Sequence, residues 1–157
     1  PTSITSQGGD LYASRANNRL VRMTVAAGYP LNPMQFKAVS ALAGPGRFRH
    51  FVGRVADWQQ VWSLKEESGW VSAADDQGNI IFPVWPHPDY AAACAVGHWS
   101  GSSPTSIEVH EFLERWLPGL DKDGLAVAVF PTPTKGGVIM PAYQLQRAIQ
   151  DELSGLE

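Results

Sequence analysis

The feature that most constrains this chain is a change in apolar period at Asp57. Before it, Phe48, Phe51, Val52 and Val55 recur at three- and four-residue steps, with Trp58 extending the series, so they share one face of a helix. After it the period becomes two, and residues 61–64, 70–74 and 80–85 read as three strands. Lys65-Glu66-Glu67-Ser68-Gly69 and Asp75-Asp76-Gln77-Gly78-Asn79 separate them, and loops of that length containing Gly close hairpins. The three strands are therefore expected to form an antiparallel meander. Pro83 confines the third to an edge, a bulge or a position whose amide is not needed.

Helical signals flank this block on the N-terminal side. Asn32-Pro33 offers a side-chain cap followed by a residue suited to the first helical turn, and Gln35 completes a capping-box pattern. That helix is expected to run through Phe36, Val39 and Leu42 until Gly44-Pro45-Gly46. Beyond Trp85 the pattern alternates: a turn at 86–88, a short helix over 89–96 ended by Gly97, a strand over 106–109, and a helix over 111–117 halted by Pro118-Gly119. The run LAVAVF at 125–130 is a buried strand, followed by a Pro- and Gly-rich turn and a strand at 138–140. Pro141 opens a last helix with Leu145, Ala148, Ile149, Leu153 and Leu156 on one stripe. The expected fold is a single α+β domain: two N-terminal helices, the meander, short alternating helices and strands completing one mixed sheet, and a C-terminal helix. Residues 1–22 carry no apolar pattern and are expected to be an unfolded leader, with Met23 as the biological start and the domain over 23–157.

The chain has 157 residues, of which 44% are apolar and 17% charged. That is enough apolar content for a core at a size that needs no disulfide or metal staple. One Cys cannot close an intrachain bridge, and no apolar run approaches about 20 residues, so no membrane span is expected and the cytoplasm is the expected compartment. Charge is unevenly placed: residues 1–54 hold seven Lys and Arg against Asp10 alone, whereas residues 55–157 hold five against fourteen Asp and Glu. A basic half can mark a nucleic-acid partner. Here Arg15, Arg19 and Arg22 fall in the leader, and Arg47, Arg49 and Arg54 have spacings suited to the solvent face of one helix. Nucleic-acid binding through residues 37–54 therefore stands as the third reading of function.

Candidate chemistry gathers between Trp85 and His98. Cys94 and His98 are four apart, and His87 and Asp89 precede them, a set that a soft divalent metal can use. Gly97 should break the helix before His98, however, and a Cys among alanines is ordinarily a small core residue. No metal and no cofactor is expected, and Cys94 is read as core, neither ligand nor nucleophile. If strands 80–85 and 125–130 run parallel in one sheet, the turns after both leave at the same end, where open sheets bind. Trp85 and Tyr90 would then supply stacking area, His87 and Asp89 polar contacts, and Lys135 a charge.

The order Val55-Ala-Asp57-Trp58, Val61-Trp62-x-Leu64, Gly69-Trp70, Asp75-Asp76-x-Gly78-Asn79 resembles the bacterial family called domain of unknown function 2750. The likeness continues through Pro83-x-Trp85-Pro86-His87-Pro88-x-Tyr90-Ala91, Cys94-Ala95, Phe112-Leu113, Leu117-Pro118-Gly119-Leu120 and Phe130-Pro131-Thr132-Pro133, and covers roughly residues 28 to 155. The resemblance brings no activity, ligand or catalytic residue with it. More loosely, the layout is similar to the N-terminal domain of SseB-type proteins, and small immunity and secretion-accessory proteins use comparable modules. The expected function is a cytosolic, non-catalytic module that binds another protein. The second reading is a small hydrolase using His87 and Asp89, with His98 or Lys135, as acid-base groups.

Overall fold

A computed structural model describes residues 28–156; the expected leader and the Met23 start lie outside them. Helix α1 (Pro33–Ser40) starts on the expected capping box, with Gln35 N–H donating to Asn32 Oδ1 at 2.8 Å and Asn32 N–H to Gln35 Oε1 at 3.2 Å. It ends before Leu42, and Gly44-Pro45 opens the next helix, α2 (Gly44–Trp58), instead of only closing the first. Proline fits there because the first helical turn has no partner for its missing N–H. Helix α2 ends at Gln59, whose left-handed backbone (φ 59°) turns the chain into strand β1 (Gln60–Glu66).

The remaining elements are β2 (Gly69–Trp70), β3 (Ala73–Ala74), β4 (Ile80–Val84), α3 (Pro88–Ala93), a 3-10 turn at Gly97–Trp99 and β5 (Ser103–Glu108). A continuous helical stretch follows: α4 (Val109–Glu111), a π-helical turn (Phe112–Trp116) and α5 (Leu117–Lys122). The chain ends in β6 (Ala126–Val129), β7 (Val138–Pro141) and α6 (Ala142–Leu156). Pro118-Gly119, expected to halt a helix, lies inside this stretch. The widened turn just before Pro118 changes the hydrogen-bond register where that residue has no N–H to give.

The α+β class and the order of helices hold. The strands divide differently from a meander within one sheet: β2-β1-β5 form a three-stranded antiparallel sheet, and β3-β4-β6-β7 a four-stranded mixed one. The segment expected as one strand over 70–74 splits into β2 and β3, each on a different sheet. Pro83 supplies the reason. Strands β1 and β4 meet at Trp62 and Trp85, which exchange two backbone hydrogen bonds of 2.8 Å. Continuing that ladder would pair Leu64 with Pro83, which has no N–H to donate; the Leu64 carbonyl accepts from Val71 N–H instead, at 3.0 Å. Ser63 Oγ then donates to the Pro83 carbonyl at 2.7 Å, so the interruption leaves no acceptor orphaned.

Strands β4 and β6 pair in parallel, the condition on which a shared sheet end depends, with Phe82 beside Val127 and Val84 beside Val129. These four residues and Met140 alternate with Ile81, Pro83, Ala128 and Ile139, so they share one sheet face. They join Phe51 and Val55 of α2 and Leu145 and Ile149 of α6 in one cluster, which Val61, Leu64 and Ile107 of the other sheet also enter.

Arg47 departs from its expected place on the solvent face of α2. It is 2% exposed, and its guanidinium donates to three carbonyls: Nε to Phe130 at 2.9 Å, Nη1 to Leu42 at 2.7 Å and Nη2 to Gly136 at 2.8 Å. Phe130 has left-handed backbone (φ 59°) at the end of β6, where the chain leaves the ladder, and its carbonyl accepts from Arg47. Gly137 is pinned nearby, since a Cβ there would stand 2.9 Å from the Val129 carbonyl oxygen. Each buried acceptor left unpaired costs about 1–3 kcal/mol, so Arg47→Met is expected to lower stability by about 3 kcal/mol or more in a denaturant titration. Arg47→Lys should recover only part of this, because one ammonium cannot span three carbonyls in the plane of a guanidinium fork.

Candidate functional site

The parallel pairing of β4 and β6 sends both following turns out of the same end of the mixed sheet. Two hydrogen bonds tie them together. Trp85 Nε1 donates to the Pro131 carbonyl at 2.7 Å, and Cys94 Sγ approaches the same oxygen at 3.4 Å. Trp85 is thereby fully buried, edge-on to Trp99, and offers no stacking surface to a partner, contrary to its expected role. Its Pro- and Gly-rich flanks shape the backbone turn, while the indole finds its donor's acceptor inside.

His87 is also inside. Nε2 donates to the Tyr29 carbonyl at 2.7 Å, and Nδ1 accepts the Asp89 N–H at 3.0 Å, capping α3. That pair of bonds defines the neutral Nε2–H tautomer. Burial holds the imidazole below its ordinary pKa, against the opposing effects of the Tyr29 carbonyl and the Asp89 carboxylate. The carboxylate lies 3.9 Å from Nδ1 and is largely exposed. Tyr90 is buried too, its ring stacked on Phe36 at 4.9 Å and tilted against Phe130 at 4.6 Å. Lys135 is exposed on the β6–β7 turn, with Nζ donating to the Ala41 carbonyl at 3.1 Å.

Cys94 lies at the C-cap of α3, because the helix expected over 89–96 stops at Ala93. Burial pushes its thiol up to about 11, so it is a thiol and not a thiolate at neutral pH. His98 stands in the exposed 3-10 turn. Among the described residues no three His, Cys, Asp or Glu side chains converge on a metal-sized site.

At this sheet end lies an open groove of about 160 Å³. Phe36 and Ser40 of α1, Tyr90 and Ala93 of α3, Phe130 and the turn at 131–134 form its walls. Of the residues expected at the site only Tyr90 lines it. Phe36 and Phe130 were not read as functional from the sequence. Phe36 was one position in a helical stripe, and Phe130 owes its place to a left-handed backbone that side-chain periodicity does not reveal.

Residues 48–149 match the family described as protein of unknown function (DUF2750). The chain belongs to this family. No curated protein matches it. The DUF2750 resemblance rests in part on Pro83, Trp85, His87, Tyr90, Cys94, Phe130 and Pro131, and these are the residues that build the shared end of β4 and β6. Helix α1 and Tyr29 lie outside the matched span. No helix among the described residues is long and apolar enough to cross a membrane.

Because the folded pKa of His87 lies below its unfolded value, the unfolded chain binds the extra proton first as pH falls. The stability contribution of the neutral ring is full above pH ~6.5 and is lost as pH drops through the lowered folded pKa. His87→Asn retains a capping group and removes the titration. It is expected to flatten the acid side of the stability–pH curve while lowering stability at pH 8 through the lost bond to Tyr29. An unchanged acid slope in this variant would assign the effect to His50, whose pKa burial also lowers.

Proposed function

We propose that this DUF2750 protein is a non-catalytic protein-binding module, of the immunity-like or accessory kind, that takes one apolar side chain of its partner into the groove at the end of β4 and β6. The observation that carries this is the groove's size and lining together. Small-molecule sites run to about 300–1,000 Å³ with convergent polar groups, whereas about 160 Å³ between aromatic and aliphatic walls suits a single anchor residue. The polar groups beside it are already spent on the fold: both ring nitrogens of His87 and the indole N–H of Trp85 have backbone partners. That supports binding over the acid-base reading. Arg47, turned inward onto three carbonyls, is subtracted from the basic face that a nucleic-acid reading needs.

The test uses blocked amino-acid amides as anchors. The N-acetyl amides of Leu, Phe and Trp are expected to shift the NMR signals of Ala93 and Thr134 in a saturable way, and those of Gln and Asp are not. Ser40→Arg, placed on the groove wall, should weaken the effect about tenfold with an unchanged melting temperature. Equal binding of the polar amides, or full binding by Ser40→Arg, would remove the groove as an anchor site.

A further inference from the structure

Behind the groove, on the α2 side of Tyr90, lies a second cluster that the binding reading does not use. Arg47, His50 and Arg54 follow one another on α2 at steps of three and four residues, so they project from one face of the helix. The Arg54 guanidinium carbon sits 4.6 Å from the centre of the Tyr29 ring. That ring meets His87 edge-on at 4.6 Å, and His87 meets Tyr90 at 6.1 Å. The Phe130 ring closes the far side, 4.6 Å from Tyr90 and 6.4 Å from His50.

Three atoms in this cluster are inaccessible to solvent and lack a well-formed hydrogen bond: Tyr29 Oη and Tyr90 Oη, which lie within reach of each other, and His50 Nε2. Tyr29 and Tyr90 are themselves 3% and 2% exposed. Native interiors pair nearly all such atoms, with protein, water or an ion. The charges point to which. Arg47 is a buried cation satisfied only by neutral carbonyls, and Arg54 is half-buried; among the described residues neither has a carboxylate within ion-pair distance. Asp89 acts on both tyrosines but stays on the solvent side of His87. Burial keeps both phenols protonated well above neutral pH; a bond between the two uses one of their protons and leaves the other to donate.

We infer that Arg54, Tyr29, Tyr90 and His50 form a site for a small oxyanion, a carboxylate or a phosphate, entered past the half-buried Arg54. The phenol pair has one O–H beyond its mutual contact, the Arg54 guanidinium has no carboxylate within ion-pair distance among the described residues, and the two arginines supply the charge that an anion would neutralise. The site is separate from the apolar groove, with the Tyr90 ring between them, and neither proposal depends on the other.

The experiment compares acetate, inorganic phosphate and chloride at constant ionic strength and pH 7.5. Acetate or phosphate is expected to raise the melting temperature by about 5 °C at about 100 times its dissociation constant, growing with the logarithm of concentration, while chloride does not. A shift by acetate alone identifies carboxylate chemistry, and one by phosphate identifies phosphate. Arg54→Gln should weaken the affinity about tenfold. Tyr29→Phe carries the decisive readout: without oxyanion it should melt within a few degrees of the parent, since only a poorly formed contact with Tyr90 is lost, yet lose most of the oxyanion response. Lys122→Gln, on α5, should respond as the parent does. No shift with either oxyanion beyond that of chloride, or an equal shift in Tyr29→Phe and Arg54→Gln, means an adventitious ion only and overturns the site.

Discussion

Arg47 joins three segments that are far apart in sequence. Its guanidinium binds the carbonyls of Leu42 just before α2, Phe130 at the end of β6 and Gly136 in the turn beyond, spanning up to 89 residues of chain. Phe130 leaves the sheet in a left-handed conformation that a bulky side chain adopts only when its surroundings insist. The Arg47 bond to its carbonyl and the Phe130 N–H bond to Val84 are what insist. The position of the Phe130 ring then fixes a wall of the groove and one side of the polar cluster. A charged residue thus sets the geometry of a largely apolar sheet end.

Much of the fold was legible because local chemistry and global structure agree in those places. The capping box at Asn32 and Gln35 is a contact within four residues, so sequence contains all of it. The two apolar strands now seen as β4 and β6 were legible as strands, but their parallel pairing stood only as a condition until the structure supplied it. Pro83 announced that one amide would be missing. What sequence alone did not settle was which flank of β1 would take which partner: alternation marks the two faces of a strand, and the choice among β2, β4 and β5 lies in the plane between them.

The candidate site was less legible, and for a consistent reason. Arg47 and His87 are charged or polar types more often found at a surface, and Trp85 carries an indole N–H that needs an acceptor when buried. Here each is inside because a backbone carbonyl distant in sequence accepts a hydrogen bond from its N–H: Pro131 for Trp85, Tyr29 for His87, and Phe130 with Gly136 for Arg47. No periodicity encodes such acceptors. Tyr29 lies ahead of the first periodic element and gave no signal, although its ring touches Trp58 and His87.

The junction at Trp62 and Trp85 has a bearing on how the molecule comes apart. Two sheets that share a core yet meet through one bridged pair, with the Ser63 hydroxyl bond to Pro83 beside it, are held together mainly by side-chain packing and hardly at all by ladder bonds. Each ladder can therefore survive while the packing between them loosens, which makes the seam a natural boundary between cooperative units. Amide hydrogens within β1–β5 and β4–β6 belong to different protected sets in that picture. The exchange behaviour of the Trp62 and Trp85 amides, which bridge the two, reports on the seam itself.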